Sequence, residues 1–432
     1  MTTVVRRFED LVRDGILAIG DGYRAKNEEL GGDGPIFLRA AYLQDSGFIL
    51  DRPDRFLDRD TEKFGIKISQ LSDVVITTKG NSTGRVGRIR AEQSGAVYSP
   101  HLSYWRSNSH EKLDQGFLYY WSQSIEFLAQ LRGMAHGTDM APYLSLRDQL
   151  RLQVTLPDSQ LQKAIGEILG SLDDKIELNR RMNETLEATA RAIFRDWFVD
   201  FGPTRAKMEG RAPYLAAEVW SLFPNALDED GVPREWVSGT LGDVARQVGE
   251  SVSPESLDPD TPYFGLEHMP RRSIALSDWE GAGKVTSGKL SFRRGDFLFG
   301  KLRPYFHKVG IAPVDGICST DIVVLNGRDR NAGAFVLTCI SQDEFVAFTD
   351  RTSDGTKMPR TSWGRMERYS LCIPSPSALE AFNAVVEPML ERILSNIHES
   401  RSLAATRDFL LPKLMSGEIR VRNAEKAFEA AV

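Results

Sequence analysis

The chain repeats itself with a period of about half its 432 residues. A repeat constrains a fold more than any single motif, because each copy must bury a core of its own and offer the same faces to its neighbours. "AIGDG" (18–22) aligns with "TLGDV" (240–244), and "GPIFLRAAY" (34–42) with "TPYFGLEHM" (261–269). "ISQLSDVVITTKG" (68–80) aligns with "LSFRRGDFLFGKL" (290–302), placing Asp73 on Asp296. "RVGRI" then meets "KVGIA", "GAVYS" meets "GICS", and "HGTDMAP" (136–142) meets "DGTKMPR" (354–360). Both copies pass through a short apolar stretch into a proline, Pro157 and Pro374, and a long helical pattern follows each. The order of these landmarks defines a duplicated unit in which a mixed α+β domain leads into a long helix.

Short β-branched or aromatic runs bounded by Gly, Asp and Pro, such as "DVVITT", "DFLFGKL", "DIVVLN" and "YSLCIP", have the grammar of strands. "DQGFLYYWSQSIEFLAQLRG" and "AGAFVLTCISQDEFVAFTD" carry helical spacing. The stretch 203–235 holds several prolines and breaks periodicity, which marks a linker. Ser159 with Gln162, and Ser377 with Glu380, give capping-box spacing at the start of the two long helices. In the first, Leu161, Ile165, Ile168, Leu172, Ile176, Met182, Leu186, Ala190, Ile193 and Trp197 recur mostly every three or four residues. The second repeats this from Leu379 to Leu414 and should bend or stop near Pro412. A rod of roughly 40 residues is about 60 Å long, and its single apolar stripe must be buried. The other copy's rod is the nearest equivalent surface.

No apolar run reaches the roughly 18 residues of a membrane span, and the start of the chain lacks an uninterrupted apolar leader core, so the expected location is cytoplasmic. Cys318, Cys339 and Cys372 are odd in number and sit in apolar surroundings, as reduced core thiols do. The six histidines form no metal-binding spacing. Phosphate-loop, dinucleotide, zinc-protease and nucleophile-elbow motifs are absent, as are the N-P-P-F and D-P-P-Y tetrapeptides of adenine methyltransferases. Ser319, Asp321 and His307 lie near one another in sequence but fit a loop before a strand better than a hydrolytic trio. The chain is read as one that binds and does not catalyse.

The net charge of −6 confines nucleic-acid binding to local patches. The stretch 289–308, "KLSFRRGDFLFGKLRPYFHK", sets six basic residues and five aromatics against a single acid. Lys and Arg neutralise phosphates, and Arg can fork onto a guanine edge. The first copy offers "TTKGNSTGRVGRIR" (77–90), free of acids. Together with the matched loops, these runs nominate Lys79, Asn81, Thr83, Arg85, Arg88, His136 and Thr138 in the first copy as DNA-binding residues. In the second they nominate Lys301, Arg303, Tyr305, His307, Lys308, Thr356, Lys357 and Arg360. Their differing sequences predict two different half-sites. The competing class is a coiled-coil scaffold or adaptor whose globular ends bind protein.

"IGEILGSLDDKIELNRRMNETLEATARAIFRDWFVDFGP", "LAATRDFLLPKLMSGEI", "GDFLFGKLRPYFHKVG" and "GICSTDIVVL" resemble the specificity (S) subunits of type I restriction–modification systems, and with the duplication the resemblance covers essentially the whole chain. It implies an α+β architecture of two similar globular target recognition domains, each followed by a long helix. The helices would pair as an antiparallel coiled coil, giving a pseudo-twofold, circular repeat. The corresponding boundaries are 1–157 and 233–374 for the recognition domains, 158–202 and 375–415 for the helices, 203–232 for the linker and 416–432 for a tail. Each domain would read one half of a bipartite double-stranded DNA target, with the helices as a ruler. The helices would also dock two methyltransferase subunits, and restriction (motor) subunits would join them. S-adenosylmethionine, ATP and Mg would sit on those partners, with no cofactor on this chain. The aromatic row Phe194, Trp197, Phe198 and Phe201 closes the helix pair or receives a methyltransferase subunit, and is assigned to subunit docking. In one departure from the family pattern, the usual L-P-P-L-x-E-Q lead into the central helix stands here as "LPDSQLQKA".

Overall fold

The computed structural model describes residues 3–44, 47–50, 52–135, 143–419 and 421. It divides into two compact units: residues 1–175 with 403–432, and Ile176–Ser402. Both divisions fall inside long helices, Ser159–Phe194 and Pro376–Met415.

In the first unit a four-stranded antiparallel sheet runs in the order Leu17–Asp21, Leu102–Ser107, Val74–Thr77, Val86–Arg88. Val4–Arg7 pairs antiparallel with Gln153–Leu156, and Phe37–Leu38 pairs parallel with Val97–Tyr98. The second unit repeats all three pairings. Its sheet runs Ala245–Gln247, Ile322–Gly327, Phe297–Gly300, Val309–Ile311, its outer pair is Val237–Thr240 with Ser370–Ile373, and its parallel pair is Pro262–Phe264 with Gly316–Cys318. The duplication extends to single carboxylates. Asp73 accepts a backbone hydrogen bond from Gln70 at 2.8 Å, and Asp296 accepts one from Arg293 at 2.8 Å. What faces them differs. Asp73 takes the Arg106 guanidinium and the Tyr98 hydroxyl, whereas Asp296 takes the Asn326 amide.

Two of the sequence alignments shift. Leu17 and Ala245 hold the same place in the two sheets, opposite Ser107 and Gly327. "AIGDG" therefore lies on the edge strand, while "TLGDV" forms the short helix Leu241–Val244, the counterpart of Phe8–Arg13. The backbone confirms this assignment: Phe8 N–H donates to Leu152 and Leu241 N–H to Tyr369, each at 2.9 Å. In the parallel pairs Phe37, opposite Val97, holds the place of Tyr263, opposite Ile317, and not that of Phe264, a slip of one residue. The "HGTDMAP" loop lies outside the described residues.

The helix caps also sit one or two residues earlier than the serine spacing predicts. Asp158 accepts from Leu161 N–H at 2.9 Å, and Ser375 from Ala378 N–H at 3.3 Å ahead of Pro376. Proline at the first helical position gives up a donor that has no partner there in any case. The second helix runs through Pro388 and Pro412 and ends at Met415. Near the start of the first, a Cβ on Gly166 would stand 2.7 Å from the Asp114 carboxylate oxygen and 3.2 Å from the Gly116 carbonyl carbon. Gly166 weakens the helix interior, but it lets helix Gln115–Trp121 approach this closely.

The seam between the helices is less apolar than periodicity predicts. Within the second unit the two helices run antiparallel, with Asn179 against Glu399 and Ser400, and Asn183 against Asn396 at 2.8 Å. Asn179, Asn183 and Glu187, one turn apart, are buried, while Ile176 and Met182 are only half-buried. In the first unit Asp173 accepts from the Tyr120 hydroxyl and from Arg407, both at 2.7 Å. Asp174 takes Arg88.

The aromatic row closes this seam and corrects the docking assignment. Phe194, Trp197 and Phe198 are 3–4% exposed inside the second unit's core, and Phe201 is half-buried against Trp236. Phe382 of the second helix contacts Phe194, Trp197 and Phe198 with ring centroids 5.0–6.1 Å apart. A π-helical turn at Arg195–Val199 widens the helix. It lets the consecutive residues Trp197 and Phe198 both point inward. Phe194, Trp197 and Phe198 are spent on the chain's own core and are not open to another subunit. Trp197→Ala should therefore lower the stability of the second unit by about 3–5 kcal/mol. Chemical denaturation of the full chain measures this; a change below about 1 kcal/mol contradicts the packing described.

Candidate nucleic-acid interface

In each unit the hairpin loop following the sheet's third strand is stitched by backbone hydrogen bonds to two other loops. In the first unit Thr78 N–H donates to His101 and Leu144 N–H to Thr78, each at 2.9 Å, and Lys79 bridges to Tyr143. In the second, Lys301 N–H donates to Asp321 and Thr361 N–H to Lys301, each at 2.9 Å, and Leu302 bridges to Arg360. Arg303 N–H adds a bond to Pro359 at 2.7 Å. Loops roughly 60 residues apart in sequence thus form one surface per unit, fixed by main chain and leaving the side chains free to differ.

The nominated residues separate into those this surface exposes and those it uses. Lys79 and Asn81 are exposed in the first unit, and Tyr305, Thr356, Lys357 and Arg360 in the second. Lys301 and Arg303 are half-buried beside them. Thr83 closes its own turn through Gly80, and Arg85 donates to the Leu43 carbonyl at 3.0 Å. Arg88 lies over Tyr119 and pairs with Asp174 at 2.8 Å, so it fastens the domain to its helix and is not a free cation. Lys308 donates to the Leu266 carbonyl. Burial holds its pKa below the usual lysine value. His136 and Thr138 lie outside the described residues.

His307 is 4% exposed and is an anchor, contrary to its nomination as a contact. Its Nε2 lies 3.0 Å from the Ser341 carbonyl and its Nδ1 3.1 Å from Asp343. Burial lowers its pKa, against an opposing pull from Asp343. No hydrolytic trio is assembled: the Asp321 carboxylate meets Arg360 at 2.9 Å, and its backbone N–H donates to the Ser319 hydroxyl. Among the described residues, no group of three or more His, Cys, Asp or Glu could hold a metal ion. The three thiols are free and their pKa values are pushed up to about 12, mainly by burial, so they stay protonated at neutral pH. No helix among the described residues is long and apolar enough to cross a membrane.

Sequence reasoning missed Arg271 and Arg272. They lie outside the contiguous basic run and reach the surface through a bond from Arg272 N–H to the His307 carbonyl at 2.9 Å. Glu187, also missed, anchors the same segment to the first long helix. It accepts from Ile274 N–H at 3.0 Å and from the Ser273 hydroxyl at 2.8 Å. Burial raises its pKa above the usual carboxylate value, and these hydrogen bonds oppose that shift.

Two α+β units with matched loop surfaces, each packed on long helices, define a protein built on internal duplication. Residues 23–188 match the family model described as the type I restriction modification DNA specificity domain. The HindI specificity subunit of Haemophilus influenzae is 26% identical over 350 residues, covering 69% of this chain and 75% of that one. The MjaIX specificity subunit of Methanocaldococcus jannaschii is 24% identical, covering 71% and 69%. The solved S subunit of a type I restriction–modification system from M. genitalium shares the fold across 96% of each chain, with a TM-score of 0.54 and 14% identity. The chain is thus similar to type I restriction–modification specificity subunits, through the family model over residues 23–188 and through relatives that span about 70% of its length.

The depressed pKa of His307 has a definite sign. The unfolded chain binds the proton first, so the contribution of His307 to stability is complete above about pH 6.5 and is lost as pH falls toward the lowered folded value. Relative to a His307→Gln variant, the wild-type protein should lose up to about 1.4 kcal/mol per pH unit in that window. Parallel pH profiles for the two proteins would contradict the burial of this ring.

Proposed function

We propose that this chain is the sequence-recognition subunit of a DNA-modifying complex and contributes no catalytic group itself. The observation that carries this reading is the stitched loop surface present in both units, with exposed Lys79 and Asn81 on one and Lys357, Arg360 and Tyr305 on the other. Cationic and amide side chains on a rigid main-chain frame suit phosphate contact and base-edge readout in double-stranded DNA. The two surfaces carry different residues, so each reads a different half of a bipartite target. The paired helices set the unread spacer. Methyltransferase subunits that bind S-adenosylmethionine dock on the helices' outward faces, and ATP- and Mg-dependent motor subunits complete the restriction complex.

Mapping methyladenine in cells with and without this gene tests the reading. A bipartite motif that disappears on deletion supports it, and an unchanged methylation pattern rejects it. The ruler is tested separately. Adding one base pair to the spacer turns one half-site by about 35° relative to the other. The assembled complex should then bind at least tenfold more weakly, and equal affinity for the two spacers rules out a fixed separation.

A further inference from the structure

Among the described residues seven non-glycine residues have positive φ, and three of them surround one turn of the second unit, Pro304–Phe306. Arg303 and His307 flank the turn with φ of +51° each, and Arg272 packs beside it with φ of +58°. Such backbone is unfavourable for side chains with a Cβ, and it persists where surrounding structure enforces it, often at functional sites. Here the enforcement is visible. Arg303 N–H is bound to Pro359, Arg272 N–H to His307, the His307 ring is buried, and the Arg272 guanidinium is held by Asp343 at 2.8 Å.

The turn presents the Phe306 ring with the Arg271 guanidinium 4.1 Å above its centroid, and Arg303 at 5.9 Å. Exposed Tyr305 packs edge-on against the same ring at 4.8 Å. A guanidinium laid on an aromatic face has its position fixed by the ring while its planar N–H fork stays available at the edge. That fork matches O6 and N7 of guanine in the major groove. Arg272 spends its charge on Asp343, whereas Arg271 is exposed and aimed by Phe306. Resting on the DNA-recognition reading above, we propose that Arg271 on its Phe306 platform reads a guanine in the half-site of the second unit.

The test uses the complex assembled with its methyltransferase subunits and duplexes carrying the motif found by methylation mapping. Each base pair of both halves is substituted in turn. The wild-type complex should prefer one guanine by at least tenfold. Arg271→Ala and Arg271→Lys should both abolish that preference and leave every other position unchanged, because lysine keeps the charge but lacks the fork. Phe306→Leu, which removes the platform, should relax the same position. Retained preference in Arg271→Lys overturns the proposal. So does a uniform loss over all sequences with the salt slope reduced by about one, which marks a phosphate contact. Variants that keep the full motif reject the guanine role alone; a wild-type complex without any motif rejects the DNA-recognition reading as well.

Discussion

The side-chain amide of Asn396 donating to Asn183 Oδ1, inside the helix seam, is the contact on which the second unit's arrangement depends. Apolar seams tolerate sliding by a turn, because one leucine replaces another. A buried amide does not, since a slipped register strands both polar groups away from water at a cost of roughly 1–3 kcal/mol each. Asn179 with Glu399 and Ser400 repeats the constraint one turn away. One turn beyond Asn183, Glu187 leaves the seam and grips the backbone of residues 273–274. The register of the helices is thereby passed to the segment that carries Arg271 and Arg272. An uninterrupted hydrophobic seam would hold the helices together without deciding where that segment sits.

Charge is used in two ways in this chain. Arg88, Arg106 and Arg407 meet Asp174, Asp73 and Asp173 and hold domain to helix or strand to strand. Asp73 and Asp173 are buried, so loss of Arg106 or Arg407 would leave a charge in surroundings poor in water, a larger penalty than the pair's net contribution. Lys79 and Lys357 are exposed on the loop surfaces, where cations cost little and remain available to a polyanion. The overall acidity of the sequence obscures this division, because it averages the structural pairs with the functional ones.

The duplicated plan was legible because strand grammar and the order of landmarks survive low identity. Its first landmark misled because a Leu/Ile-Gly-Asp tripeptide suits both an edge strand and a capped helical turn, and only the pairing partner separates them. The capping serines misled in a similar way: Asp158 and Ser375 also satisfy the spacing rule, and packing decides among them. Periodicity misses Asn179, Asn183 and Glu187 because it scores apolar residues, and a polar residue bonded across the seam or to a neighbouring segment looks like a surface residue. The aromatic row is legible as one stripe, but the π-turn at Arg195–Val199 lies beyond a 3.6-residue reading. Arg271 could not be found by looking for contiguous charge, since the fold brings it to the basic loop from another segment.

The first unit is completed by residues beyond 402, after the 227 residues of the second (176–402). During synthesis Asp173 therefore emerges long before Arg407. At about 5–20 residues per second the interval is roughly 10–45 s. For that time a carboxylate destined for burial has the Tyr120 hydroxyl but not its Arg407 ion pair. The order of assembly is accordingly reversed from the order of the sequence: the second unit has all its parts first, and the first unit closes last, around the returning end of the chain.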